Sequence, residues 1–82
     1  MNLPTLDLHG LDRETARVFV NDFVVENRLM KQTKFLIVHG IGTGVLRKMV
    51  HETLKKNRYV TDYRLDYFNI GTTVVTIRLD LK

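Results

Sequence analysis

There is no cysteine among the 82 residues, so neither a disulfide framework nor a thiolate metal site is available and the fold must rest on packing alone. That absence favours a cytoplasmic setting. Proline occurs once, at Pro4, and with no Pro/Ser-rich stretch, internal repeat or low-complexity segment nothing marks a linker. One domain over residues 1–82 is expected. No apolar run approaches the roughly 18–20 residues of a bilayer span, and the N-terminal "MNLPTLDLHG" lacks the basic and then apolar pattern of a signal peptide. A soluble protein without a membrane partner is expected. A chain this short buries only about 60–65% of its unfolded surface, which makes the core modest.

Acidic residues are scarce in the middle third. Residues 31–60 carry seven Lys/Arg against one Asp/Glu, whereas residues 1–30 carry three against five and residues 61–82 three against three. The net charge of +4 therefore belongs to the centre of the chain. A local cationic field attracts polyanions such as nucleic acid, although a solvated helix face gives the same count.

Hydrophobic periodicity sets the architecture. In "TLDLHG" Leu6 and Leu8 alternate with Asp7 and His9, as in a half-buried strand. Asp12 is a candidate N-cap, and Ala16, Phe19, Val20, Phe23 and Val24 follow at helical spacing. "KFLIVHG" is apolar on both faces, as a central strand is. A second helix is read from about Thr43 to Lys56, with Leu46, Met49, Val50 and Leu54 buried and Arg47, Lys48, His51 and Lys55 outside. "DYRLDYF" and "TTVVTIRLDL", joined by a turn around "NIG", read as an antiparallel hairpin, with Val75, Ile77, Leu79 and Leu81 on its apolar face. The result is an α/β fold, a βαβαββ two-layer sandwich. Right-handed crossovers make the first two strands of a four-stranded mixed sheet parallel and put both helices on one face. Asp7, His9, Thr76 and Arg78 then fall on the uncovered face or its rim.

In such a unit both strand–helix junctions lie at the carboxyl edge of the sheet, where open sheets bind ligands. His9 and His39 end the first two strands, each followed by glycine, Gly10 and Gly40. Two imidazoles at neighbouring strand ends can meet at one substrate group, and histidine changes its charge near neutrality. The loop "GIGTG" enters the second helix at its N-terminus, where free amides and the helix dipole favour an anion. Glycine there lets a phosphate approach the backbone, and Arg47, one turn on, can add a charge-assisted bond. The Lys-Ser/Thr ending of a Walker motif and the dinucleotide spacing are both missing, so neither ATP nor NAD is expected. Each feature also has a plainer role. The glycines can be turn formers, the histidines hydrogen-bonded structural groups, and Asp7 a partner for loop amides. His51 is expected to be solvated. Tyr63, Tyr67 and Phe68 are expected to pack on the sheet, with Phe68 near the hairpin tip a candidate for base stacking.

Taken together, "LDLHG", a roughly thirty-residue helical interval, "VHGIGTGVLR" and a terminal "TTVVTIRL" strand resemble the small MutS-related domain, Smr, over nearly the whole chain, from Leu6 to about Leu81. The resemblance implies the fold read above, similar to the C-terminal domain of a translation initiation factor. It also implies nucleic-acid binding with nicking endonuclease activity on RNA or branched DNA, in a family that includes a MutS paralogue linked to recombination control and ribosome rescue. The family's DLHG motif falls on Asp7, Leu8, His9 and Gly10, and HGxGxG on His39, Gly40, Gly42 and Gly44. Ile41 is a departure, since that position is often basic in the family. Arg47 and Lys48 can compensate.

Phosphodiester cleavage needs a base, an acid and stabilisation of a charged phosphorane. The expected catalytic residues are His9 as base or acid, His39 as its complement or a phosphate contact, and Asp7 as the group that orients a loop or an imidazole. Gly10, Gly40, Gly42, Gly44, Arg47, Lys48, Lys55, Lys56 and Arg58 are expected to bind phosphate or nucleic acid. No metal-ligand set is evident. On RNA a metal-free attack by the 2′-hydroxyl suffices, whereas DNA requires an activated water and a divalent ion, magnesium or manganese. The alternative is a non-catalytic module that binds branched DNA or ribosomal RNA, with the ribosome as partner. In that case the bases between 47 and 58 matter and the histidines do not.

Overall fold

A computed structural model describes residues 2–80. The chain runs β1 (Thr5–Asp7), α1 (Arg13–Leu29), β2 (Lys34–Val38), α2 (Val45–Lys56), β3 (Val60–Asp66) and β4 (Asn69–Ile77). The strands lie in the order β1-β2-β4-β3, with β1 parallel to β2 and β4 antiparallel to both of its neighbours. The expected α/β architecture is the observed one. No helix among the described residues is long and apolar enough to cross a membrane.

Helix α1 begins where Asp12 turns its carboxylate onto the Thr15 amide at 3.0 Å, satisfying one of the free donors of the first turn. It ends where Lys31 takes a φ of 60°, while the amides of Lys31 and Gln32 return to the carbonyls of Arg28 and Asn27. Its inward stripe is Ala16, Val20 and Val24, fully buried, and Asn27. Asn27 is tolerated there because its Nδ2 donates to the Phe23 carbonyl. Phe19, expected in the stripe, is 44% exposed. It sits at the stripe's margin, whereas Phe23 meets Phe35 edge-on at 5.1 Å.

The core joins Leu8, Phe35, Ile37, Val75 and Ile77 of the sheet layer to the α1 stripe and to Met49, Val50 and Leu54 of α2. Both helices pack against each other over one face of the sheet. Strand parity follows, since 35, 37 and 39 on β2 and its extension point under the helices together with 73, 75 and 77 on β4. Asp7, His9 and Arg78 are exposed and Thr76 is half-buried, in keeping with the uncovered face or rim. Leu81 lies outside the described residues.

The hairpin differs from the expectation. Its turn is Tyr67–Phe68, not "NIG", because Asp66 and Asn69 pair directly across it and Asp66 Oδ1 accepts the Phe68 amide at 2.9 Å. An aspartate side chain closing onto the amide two residues on is a turn device that needs no glycine. Gly71 is used instead in a bulge. The register jumps from Leu65↔Thr73 to Asp66↔Asn69, which bends Ile70, Gly71 and Thr72 away from β3.

Candidate phosphate loop and histidine relay

At the first junction the Leu8 amide donates to the Val38 carbonyl at 2.9 Å, keeping the ends of β1 and β2 side by side, and the Leu11 amide closes on the Leu8 carbonyl at 3.0 Å. Gly10 has a φ of 81°, so residues 8–11 form a turn of the type that wants glycine at its third position. Asp7 Oδ1 accepts the His9 amide at 2.9 Å. Asp7 is thus the residue that orients this turn, and His9 is left exposed at its corner.

At the second junction the amides of His39 and Gly40 both donate to the Gly71 carbonyl at 2.9 Å. The backbones come so close that a Cβ on Gly71 would lie 3.3 Å from Gly40 C and Cα. Downstream, α2 starts at Gly44 with a φ of 83°, without a side-chain cap and without an acidic residue in its first turn. Arg47 folds back across this opening, its Nη2 only 3.1 Å from where a Gly44 Cβ would stand. Amides, dipole and guanidinium all carry positive charge toward the same helix start, the combination that favours an anion. A Cβ on Gly42 would meet nothing within 4 Å, so that stretch faces open space.

Beneath the loop lies a feature that the sequence reading missed. His39, 7% exposed, has both ring nitrogens engaged: Nδ1 lies 2.9 Å from the Gly40 carbonyl oxygen and Nε2 lies 2.8 Å from Thr73 Oγ1. His51 Nε2 lies 2.8 Å from the same hydroxyl. A carbonyl can only accept, which fixes the proton of the neutral His39 ring on Nδ1. Nε2 must then accept the Thr73 hydroxyl proton, and Thr73 Oγ1 in turn accepts His51 Nε2–H. The chain His51 to Thr73 to His39 to Gly40 is therefore satisfied at every link in one direction. Burial pushes the pKa of His39 down, Arg47 acts the same way, and donation to Gly40 opposes them. Burial also lowers that of His51, aided by His39 and Arg47. Both shifts favour the neutral rings.

His51 is consequently not the solvated outer residue expected. It is half-buried, 6.0 Å ring to ring from His39 and 5.2 Å from Tyr63. The expected meeting of His9 and His39 is also corrected. Among the described residues no hydrogen bond or ring contact joins them, because His39 turns under the helices and His9 stays in the exposed turn. Tyr63 packs as expected, but Tyr67 and Phe68 are each 91% exposed. They occupy a turn beyond the sheet and have no sheet surface to cover.

Gly10, Gly40, Gly42, Gly44, Arg47 and Lys48 share the carboxyl edge of β1 and β2. Lys55, Lys56 and Arg58 do not. Eight residues of helix separate Arg47 from Lys55, about 12 Å, and Arg58 precedes β3 at the opposite edge, where Lys34 pairs with Thr76. Lys56 and Arg58 instead line an open groove with Arg17, Glu52 and Tyr59. Among the described residues no three His, Asp or Glu side chains converge as a group that could hold a metal ion.

Strand-end turn, glycine loop and a helix start without a side-chain cap, set on this mixed sheet, define a small α/β domain. The Smr domain family matches residues 6–78, and the chain belongs to that family. It is 44% identical over 79 residues to the endonuclease MutS2 of Halothermothrix orenii, covering 96% of this chain and 10% of that protein. Against the endonuclease MutS2 of Clostridium acetobutylicum it is 40% identical over 78 residues, 95% of this chain and 10% of that one. The chain thus spans about a tenth of the length of these relatives. Among solved structures, the Smr domain of Thermus thermophilus MutS2 superposes with a TM-score of 0.90 at 29% identity, over 93% of this chain and 99% of that one. YdaL, a stand-alone small MutS-related protein from Escherichia coli, superposes at 0.86 over 90% of this chain and 63% of that one. Its 23% identity speaks to the fold alone.

Proposed function

We infer that the domain binds nucleic acid at the carboxyl edge of β1 and β2 and cleaves a phosphodiester there, in RNA or in branched DNA. The observation that carries this reading is Arg47 folded back across Gly44 at the uncapped start of α2, beside the strand end that presents His9. A phosphate on the loop would accept from the first-turn amides and from the guanidinium, donors of the kind that stabilise the charge developing on a phosphorane. Membership of a family whose relatives bear the name endonuclease supports the same chemistry.

His9 is the exposed imidazole at this edge and takes the role of base. On RNA it removes the proton of the 2′-hydroxyl as that oxygen attacks phosphorus. The bond to the 5′-oxygen breaks, and the leaving oxygen takes a proton from water. A 2′,3′-cyclic phosphate and a 5′-hydroxyl result. Asp7 positions His9 through its backbone amide, and His39, with no free nitrogen, positions the loop rather than touching substrate. On DNA an activated water replaces the 2′-hydroxyl, and a divalent ion would have to arrive with the substrate.

The test is cleavage of labelled RNA and of branched DNA with and without EDTA. His9→Ala is expected to slow cleavage about 100-fold or more, the usual share of a general base, and to leave binding unchanged. Binding without cleavage of any substrate would leave the non-catalytic module, which the engaged nitrogens of His39 favour.

A further inference from the structure

The residues at the hairpin tip serve neither the turn nor the core. Turns favour glycine, asparagine, aspartate, serine and proline, yet this one carries Tyr67 and Phe68, each 91% exposed and set edge-on to each other at 5.2 Å between centroids. The turn is closed by Asp66. Neither residue has a positive φ, so any L-residue fits there, and the aromatic rings are dispensable for the backbone.

Their position in the fold gives them a use. Strand β4 runs antiparallel to β2 with Thr72 opposite Val38, so its first residues overrun the carboxyl edge of β2. Gly71 holds the backbone of His39 and Gly40, and Phe68 is three residues away, on the order of 10 Å at about 3.3 Å per residue. Ile41 on the loop, Val45 at the start of α2 and Ile70 beside the tip are more than half exposed as well. The cations of this edge are Arg47 and Lys48. The tip itself offers none, since Arg64 is paired with Asp62 at 3.1 Å. A ligand that fits brings a flat apolar face to the tip and an anion to the loop at the same time. An unpaired nucleotide does both, because every base has a face that stacks on an aromatic ring.

We propose that Tyr67 and Phe68 form a stacking wedge for unpaired bases beside the phosphate held on the Gly40–Gly44 loop, so that the domain selects flapped, nicked or looped nucleic acid over continuous duplex. This rests on the nucleic-acid reading of the loop. It assigns affinity for phosphate to the loop and α2, and choice of structure to the hairpin.

The experiment compares fluorescence-anisotropy affinities of the wild type and the Tyr67→Ala/Phe68→Ala double variant for a continuous duplex and for the same duplex with a single-stranded flap. 2-Aminopurine placed at the flap base reports stacking directly. The wild type is expected to prefer the flap and to quench 2-aminopurine. The double variant should lose about ten-fold or more on the flap and lose the quenching, with duplex affinity and the salt dependence of binding unchanged, because no phosphate contact is removed. Equal loss on both substrates, no loss on either, or no quenching by the wild type overturns the wedge while leaving the phosphate loop intact. A wild type that binds neither substrate overturns both readings. A dimer that sedimentation shows to dissociate in the double variant assigns the tip to self-association and refutes the wedge.

Discussion

Replacing Thr73 by valine tests the histidine relay with almost no change of shape. Thr73 is fully buried, valine is close to isosteric, and the substitution removes one oxygen that serves two imidazoles at 2.8 Å each. His39, 7% exposed, then has an unpaired Nε2 and no route to water. A buried polar group left without its partner costs roughly 1–3 kcal/mol. His51 is half-buried and can recover a bond to solvent, so its share is smaller, and the added methyl of valine returns part of the cost. A net loss of about 1–3 kcal/mol is expected. For a domain this size each kcal/mol moves Tm by roughly 4–8 °C, so the fall should be at least several degrees, with Thr73→Ser restoring most of it. Urea and thermal unfolding measure the loss, and nitrogen-detected imidazole spectra report whether His39 keeps its proton on Nδ1. A valine variant as stable as the wild type, with unchanged His39 tautomer, would refute the relay.

Three further outcomes follow from the same contacts. Because burial lowers the pKa of His39 and His51 in the folded chain, the unfolded chain binds more protons below the ordinary histidine value of about 6.5, so stability is full above it and falls as pH drops through the folded-state values; urea midpoints at several pH values should show this, and His51→Gln should flatten the slope. Gly44→Ala is expected to destabilise by about 1–3 kcal/mol, from its φ of 83° and the crowding of Arg47, whereas Gly42→Ala, in open space, should leave melting unchanged and lower phosphate affinity, which melting and binding curves separate. Lys55→Gln/Lys56→Gln should reduce the log–log salt slope of duplex binding by roughly 0.9 for each phosphate contact removed only if the ligand reaches the far end of α2, and an unchanged slope would confine the interface to the loop.

The elements that could be read from sequence are those whose signal is local. Alternation at Leu6 and Leu8, the two-sided apolar run of β2 and the three- and four-residue spacing of α1 each name the buried face without reference to the rest of the chain. His51 reads as an outward residue because a helical position is judged by its helical neighbours, and Lys48 and Lys55 point outward. What draws it inward is Thr73 on β4 and Tyr63 on β3, residues brought near only by the sheet. A trace of this was present in the parity of β4, which puts Thr73 on the same side as Val75 and Ile77, where a hydroxyl must find a partner. Gly71 differs from its sequence reading for a related reason. A glycine near a hairpin suggests the turn, yet its absent side chain is needed for the approach to Gly40, 31 residues earlier in the chain. Phe19 reads as part of the buried stripe because spacing gives the direction of a stripe better than its width.

The engagement of His39 changes the division of labour expected in cleavage. Two imidazoles at the substrate would share the chemistry, one as base and one as acid. Here His39 donates from Nδ1 to Gly40 and accepts at Nε2 from Thr73. Taking up a proton at Nε2 only reverses the Thr73 link, leaving Nδ1 on the Gly40 carbonyl, so the relay holds the loop in either state and delivers no proton to a phosphate. In an in-line displacement the attacking and leaving oxygens lie on opposite sides of phosphorus, so one exposed imidazole can serve only one of them. His9 serves the attacking oxygen, while Arg47 and the loop amides stabilise the charge without titrating. His9→Ala is therefore expected to slow the chemical step on RNA about 100-fold or more, whereas His39→Gln should weaken phosphate binding and lower Tm with a much smaller effect on that step. A single-turnover rate that falls as far in a folded His39→Gln variant as in His9→Ala, with phosphate affinity unchanged, would show that the loop opens and releases His39 to the substrate, and the positioning role assigned to it would have to be given up.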